Sequence, residues 1–124
     1  MTPFPKGPTR KAVQAGKRRH KADIIRAVRV QVMQRDTACR VCGSTRDAEM
    51  HEIVPRSILR GRAPEAIYTL HNCLRLCGGP KGCHGKVTRH DLAIVVVDPL
   101  RGANAPLRFT RVLRRPYVPT PPTD

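Results

Sequence analysis

The chain has 124 residues, and 24 Lys and Arg against 9 Asp and Glu give it a formal charge of +15 and a pI near 11.0. That length leaves room for one compact domain, and a composition with 3% aromatic residues and no Trp excludes a large self-supporting core. The charge calls for a polyanionic partner; with no apolar amphipathic face and no apolar run of transmembrane length, nucleic acid is expected rather than a membrane.

No signal peptide is apparent, so a cytoplasmic location is expected, where five cysteines bind metal rather than pair with one another. Residues 1–22 carry no acidic side chain. They contain Lys6, Arg10, Lys11, Lys17, Arg18, Arg19 and Lys21, with Pro3, Pro5 and Pro8 among them. This composition predicts a disordered basic arm that lies along phosphates without reading sequence. The folded domain is expected over residues 23–113. Asp23 is a candidate N-cap for a helix over residues 24–35, with Ile25, Val28 and Val32 on one face. The alternation of Val28, Val30 and Val32 also suits a strand, and the helix is preferred.

Residues 37–44 hold Cys39-Arg40-Val41-Cys42-Gly43, the tight turn of a zinc knuckle, with Gly in the strained position. A short strand is predicted over residues 47–54, ended by Pro55, followed by an exposed basic loop over 56–65. Residues 68–76 should return as a second strand into Cys77, and a short helix is predicted from Cys83 to about His90. An apolar run at 92–97 and an alternating run at 107–113 can pair as a hairpin. Residues 114–124 form a Pro-rich tail. There is no internal repeat.

Cys39-x2-Cys42 and Cys77-x5-Cys83 supply the two-plus-two thiolates that tetrahedral Zn²⁺ needs from two turns, making Cys39, Cys42, Cys77 and Cys83 the candidate structural zinc ligands. Cys73, in an apolar strand, reads as a small buried hydrophobe, with Cys73 and Cys77 as the alternative second pair. Zinc alone would make the chain a zinc-ribbon binding module. His51, Glu52, Asn72 and His84 argue for more, because they stand beside the cysteine turns rather than scattered along the chain.

With these residues in view, the chain resembles the HNH endonuclease family, in particular the small cysteine-bearing members common in phages. The resemblance is carried by Cys39-x2-Cys42-Gly43, His51-Glu52-Ile53-Val54-Pro55-Arg56-Ser57, Asn72-Cys73-Leu74-Arg75-Leu76-Cys77 and Gly82-Cys83-His84-Gly85, within residues 38–90. It implies an α+β fold, a small ββα-metal domain (HNH, or His-Me finger) stapled by the four-cysteine zinc. It further implies a catalytic divalent ion such as Mg²⁺ or Mn²⁺ held by His51 and His84, with Asn72 as the middle residue of the motif, and hydrolysis of DNA phosphodiester bonds.

Glu52 departs from the family, which generally has a His base there. A free Glu ionises roughly two pH units below His, so burial would have to raise it for efficient base catalysis; otherwise His51 takes that role while Glu52 binds the metal. Asn72 can alternatively orient the loop that carries the His-Glu pair. Arg56, Arg60, Arg62, Lys81 and Lys86 are candidate phosphate contacts. His90, six residues beyond His84, is left outside the site because that spacing does not share a helical face. His20 and His71 have no partner pattern.

A phage origin implies the host cytoplasm and packaging or recombination machinery as partners. The rival readings are a noncatalytic zinc-containing DNA-binding or packaging accessory protein and a basic assembly protein that binds through its arms. A zinc base deaminase is excluded: His-x-Glu followed by Pro-Cys-x-x-Cys does not occur.

Overall fold

Thr9 opens the first helix. In this computed structural model, which describes residues 6–113, the Thr9 hydroxyl accepts a hydrogen bond from the Ala12 N–H at 3.1 Å, satisfying one of the free donors of the first turn. Helix α1 then runs from Arg10–Arg35. The basic stretch expected to be irregular is therefore helical from residue 10. Ala, Arg, Lys and Gln are strong helix formers, and all three early prolines precede Thr9. The absence of acidic residues gave the wrong expectation because it bears on solvation and not on backbone preference. Residues 1–5, and the predicted tail at 114–124, lie outside the described residues.

Only the second half of α1 is anchored by buried side chains. Val28 and Val32, one turn apart, are buried with Cys73 against Met50, Tyr68 and Leu70, whereas Val30 on the other side is exposed, so helical rather than strand periodicity governs this segment. Burial of each valine contributes on the order of 1.5–3 kcal/mol. The helix ends at Asp36, whose N–H donates to the Val32 carbonyl at 2.7 Å.

Asp36 is 5% exposed, and a carboxylate at a helix C-terminus opposes the helix dipole. Two guanidinium groups compensate. Arg35 donates to both Asp36 oxygens at 2.9 and 2.8 Å, and Arg40 donates at 3.1 Å. Arg35 also reaches the carbonyls of Leu70 and Cys73 and the Asn104 side chain. Arg40 reaches the carbonyls of Ala103 and Ala105. This cluster ties α1 to the strand that carries Cys73 and to the C-terminal part of the domain.

Strands β1 (Ala48–Glu52) and β2 (Cys73–Cys77) form an antiparallel hairpin, with Ala48 opposite Cys77 and Glu52 opposite Cys73. The segment between them is not an open loop. It contains a single helical turn, α2 (Arg56–Leu59), begun by Pro55, and a 3-10 turn over Pro64–Ala66. The second strand starts at Cys73, later than the predicted Tyr68, because residues 69–72 form a turn: the Thr69 hydroxyl donates to the Ala66 carbonyl and the Asn72 N–H to the Thr69 carbonyl.

Helix α3 (Cys83–Thr88) follows β2 and packs on it. A second antiparallel hairpin, β3 (Leu92–Val96) with β4 (Leu107–Arg111), closes the domain where the sequence predicted it, with a 3-10 turn over Gly102–Asn104. The result is a small mixed fold of helices and antiparallel strands. Its main core is Cys39, Leu74, Leu76, Cys83 and Ala103, against which Ile53, Val87, Ile94, Leu107 and Phe109 pack. The C-terminal hairpin thus shares one core with the cysteine-bearing hairpin. No helix among the described residues is long and apolar enough to cross a membrane.

Candidate functional site

The four cysteines expected to act together do converge. One sulfur each from Cys39, Cys42, Cys77 and Cys83 lies within 4.8 Å of the others, and the Cys42 and Cys77 sulfurs are 3.6 Å apart. Zn–S bonds of about 2.3 Å in a tetrahedron require sulfurs about 3.8 Å apart, so this cluster is positioned to hold a metal ion and its spacing is close to what zinc needs.

Local backbone geometry makes the convergence possible. Gly43 closes the first turn with φ +79°, a conformation that side chains with a Cβ rarely adopt, and its N–H donates to the Cys39 carbonyl at 2.9 Å. In the second turn the Gly-Gly-Pro-Lys-Gly segment folds back so tightly that a Cβ on Gly82 would stand 2.5 Å from the Cys77 carbonyl oxygen. The Cys83 N–H donates to the Cys77 sulfur at 3.3 Å.

The thiols also show the electrostatics of a cation site. Burial disfavours the Cys39 thiolate, but the N–H groups of Cys42, Val41 and Cys77 outweigh it and bring this thiol down to about 7. Cys77 has the Cys83 N–H in its favour, yet burial and the neighbouring Cys42 and Cys39 sulfurs push it up. Cys83 is pushed up by burial and by the other three sulfurs. Four thiolates at this separation repel one another, and the charge of a divalent ion would offset that repulsion.

Cys73 stands apart from this cluster. It is fully buried beside Val28 and Val32, its sulfur donates to the Ile67 carbonyl at 3.4 Å, and burial raises its pKa to about 11. It is a neutral core residue, which removes the alternative pairing with Cys77.

His51 and His84 meet on the other side of the same elements. Their rings stand edge to face with centroids 5.0 Å apart, His51 on β1 and His84 on α3. Both line a cleft of about 520 Å³ together with Glu52, Arg56, Thr88 and His90. Burial, and then the proximity of His84, lower the His51 pKa against the opposing effect of Glu52. His51 is therefore held as a neutral imidazole, the form that binds metal or accepts a proton.

Sequence reasoning missed Glu49. Strand alternation puts Glu49 and His51 on one face of β1 and Met50 and Glu52 on the other, and Glu49 Oε2 is hydrogen-bonded to His84 Nδ1. That pairing leaves His84 Nε2 as the nitrogen available to a ligand. The signal was present as the i, i+2 relation of Glu49 to His51, but an adjacent His-Glu pair drew the assignment to Glu52. Glu52 lines the cleft from the end of the strand, opposite Cys73 in the register. His90, left outside the site by its spacing, lines the cleft as well. The helix stops at Thr88, and His90 takes a left-handed φ of +61°, so the spacing rule that excluded it does not apply.

Asn72 does not reach this cleft. Its side chain accepts from the Val54 N–H at 2.9 Å and donates to the carbonyls of Val54 and Ile67 at 3.1 and 3.0 Å. These contacts commit it to fastening the segment that follows His51 and Glu52, the loop-orienting alternative. His71 is likewise occupied, hydrogen-bonded to the Pro99 carbonyl.

The five predicted phosphate contacts do not share one site. Arg56 lines the histidine cleft, Arg60 lines a cleft against α1, Lys81 stands at the cysteine turn and Lys86 beside Arg89 and Arg111. Arg62 is exposed. No protein-family model, curated protein or solved structure matches this chain.

Proposed function

We propose that the protein is a metal-dependent DNA endonuclease of the HNH kind, with a ββα-metal site formed by β1, β2 and α3 and a structural zinc at Cys39, Cys42, Cys77 and Cys83. The observation that carries this reading is the pairing of His51 with His84 in an open cleft, with Glu49 fixing the His84 ring. Two imidazoles and a supporting carboxylate beside a four-cysteine cluster, on a hairpin followed by a helix, form a constellation suited to phosphodiester hydrolysis.

A divalent ion such as Mg²⁺ or Mn²⁺ held by His51 and His84 would neutralise charge developing on the phosphate and the leaving oxygen. The remaining tasks fall to the chain. Glu49 orients His84 and sets which of its nitrogens faces the cleft. Two groups in the cleft can accept the proton of the attacking water, neutral His51 and Glu52. Water attacks phosphorus as the bond to the leaving oxygen breaks, leaving a phosphate monoester end and a hydroxyl end. Arg56, on the first turn of α2, holds a non-bridging phosphate oxygen. Asn72 keeps the backbone after Glu52 in place.

The test is cleavage of supercoiled plasmid with Mg²⁺, Mn²⁺ or no added metal, comparing wild type with His84→Ala and Glu52→Gln while zinc content is measured in each. Cutting by wild type, with a His84→Ala variant that retains zinc and does not cut, supports the nuclease. A greatly slowed Glu52→Gln variant makes Glu52 the base, and an unchanged one leaves that role to His51. The second reading is a noncatalytic zinc-containing DNA-binding or packaging accessory protein, favoured by the four cysteines being the one metal-ligand cluster identified among the described residues. DNA binding without cleavage under every metal condition would establish it.

A further inference from the structure

The first half of α1 has no role in the domain core, yet it is not featureless. Arg10, Lys17 and Lys21 are spaced by seven and four residues, so they lie along one line of the helix. Val28 and Val32 continue that line at the same spacings and are the residues that turn into the core. The basic stripe therefore shares the face by which α1 meets the rest of the molecule. Where it passes α2 and the following 3-10 turn it leaves a cleft of about 460 Å³.

Lys17, His20 and Lys21 line this cleft from the helix, and Arg60 lines it from the opposite wall. Glu65 is the single acidic residue in the lining. Among the described residues, no ion pair involves Lys17, Lys21 or Arg60. The interior is apolar, formed by Ile24, Pro64, Ile67 and Tyr68, and Ile24 remains 40% exposed there. Unpaired cations around an apolar floor match a sugar–phosphate strand, which offers phosphate charge outside and deoxyribose and base edges within.

This cleft adjoins the histidine cleft through α2. Arg56 lines one and Arg60 the other, and the Arg60 N–H donates to the Arg56 carbonyl at 2.9 Å, so the two side chains stand one helical turn apart. One turn rises about 5.4 Å, on the scale of one to two nucleotides at about 3.4 Å per step along a strand.

We infer that the cleft between α1 and the segment from Arg60 through the 3-10 turn is a second nucleic-acid site, which grips the phosphate backbone of DNA as it leaves the histidine cleft. The inference rests on the DNA reading above. It adds that α1 is a rigid clamp with a defined path, where the sequence suggested an irregular arm with none.

The experiment measures binding of a labelled random-sequence DNA duplex across a series of salt concentrations, with no added divalent ion so that cleavage cannot interfere. Wild type is compared with the triple variant Lys17→Gln/Lys21→Gln/Arg60→Gln. A control triple, Arg46→Gln/Arg108→Gln/Arg111→Gln, removes the same charge from the cysteine turn and β4. Each phosphate contact adds about 0.9 to the slope of log affinity against log salt, so the cleft variant should flatten the slope by up to about 2.7, and the control by less than one contact's worth. Zinc content and circular dichroism verify that both variants fold.

Equal flattening by the two triples, no flattening by the cleft triple, or no DNA binding by wild type overturns the inference. A cleft-dependent slope in a protein that never cuts plasmid keeps the clamp and discards the nuclease. An unchanged slope in a protein that cuts discards the clamp alone.

Discussion

Replacing Glu49 by Gln tests the site more sharply than any change at the adjacent His-Glu pair. The carboxylate accepts the His84 Nδ1–H, and removing such a partner behind a metal-binding imidazole typically costs 10- to 100-fold in metal affinity or activity, about 1.4–2.7 kcal/mol. On the proposed nuclease reading, Glu49→Gln should therefore raise the Mn²⁺ concentration needed for half-maximal cleavage by at least about tenfold, with zinc content unchanged. Gly78→Ala offers a second route to the same defect. A Cβ there would overlap the Glu49 carboxyl group, so that side chain must shift from the position in which it meets His84. Both variants should shift the Mn²⁺ titration in the same direction. A wild-type titration for Glu49→Gln, measured on protein with full zinc content, would refute the positioning role and return the carboxylate function to Glu52.

Loss of a cysteine should be far more damaging. A structural zinc supplies on the order of 10 kcal/mol, comparable with the whole stability of a small domain, so Cys83→Ala, or chelation of the wild type, should abolish the cooperative thermal transition seen by circular dichroism. Asp36 makes an acid-sensitive contribution. Burial opposes its charge, but the hydrogen bonds and charges of Arg35 and Arg40, with the Arg75 N–H, hold its carboxyl below the ordinary carboxylate value. Its stabilisation is therefore complete above about pH 5 and fades as pH falls through and below the unfolded value of about 3.9. Asp36→Ala should cost about 3 kcal/mol at neutral pH by stranding two guanidinium groups, and urea unfolding of the variant should show a shallower loss of stability between pH 5 and pH 3. Asn72→Ala should lower stability by about 2 kcal/mol through three lost hydrogen bonds and, on the proposed nuclease reading, reduce cleavage with little change in Mn²⁺ requirement, whereas a metal ligand would change it strongly.

The elements that carry short-range signals were legible in the sequence. Cys39-x2-Cys42-Gly43 announced its turn, the alternation at 107–113 announced a strand, and the distance between the cysteine pairs matched a hairpin between them. Residues whose partners lie far along the chain were not legible. Arg35 and Arg40 counted toward a polyanion-binding charge, yet they hold Asp36 and carbonyls up to 65 residues away. Nothing local separates a structural arginine from a solvated one, because the difference is set by what the fold brings against it. Glu49 was hidden for the same reason, since its partner His84 is 35 residues away. Asn72 fell between the two cases: the motif singled it out for the site, and its hydrogen bonds show that it fastens the loop instead.

The small core explains why so much of the charge is spent inside the domain. Leu74, Leu76, Val32 and Cys73 are the largest fully buried side chains, too few to hold two hairpins and a long helix by apolar burial alone. The cysteine cluster fixes the first hairpin to α3, and the Asp36 cluster fixes α1 to β2 and to the turn before β4. His51 and His84 stand on elements joined by the first of these, and Lys17 and Lys21 on a helix anchored by the second. Loss of a metal from the cysteine cluster would therefore disorder the histidine cleft directly, whereas loss of the Asp36 carboxylate would loosen the anchor of α1. If the two clefts serve one strand of DNA, Asp36→Asn at neutral pH should weaken binding with zinc content unchanged, and measuring DNA affinity and zinc content on the same samples tests that separation.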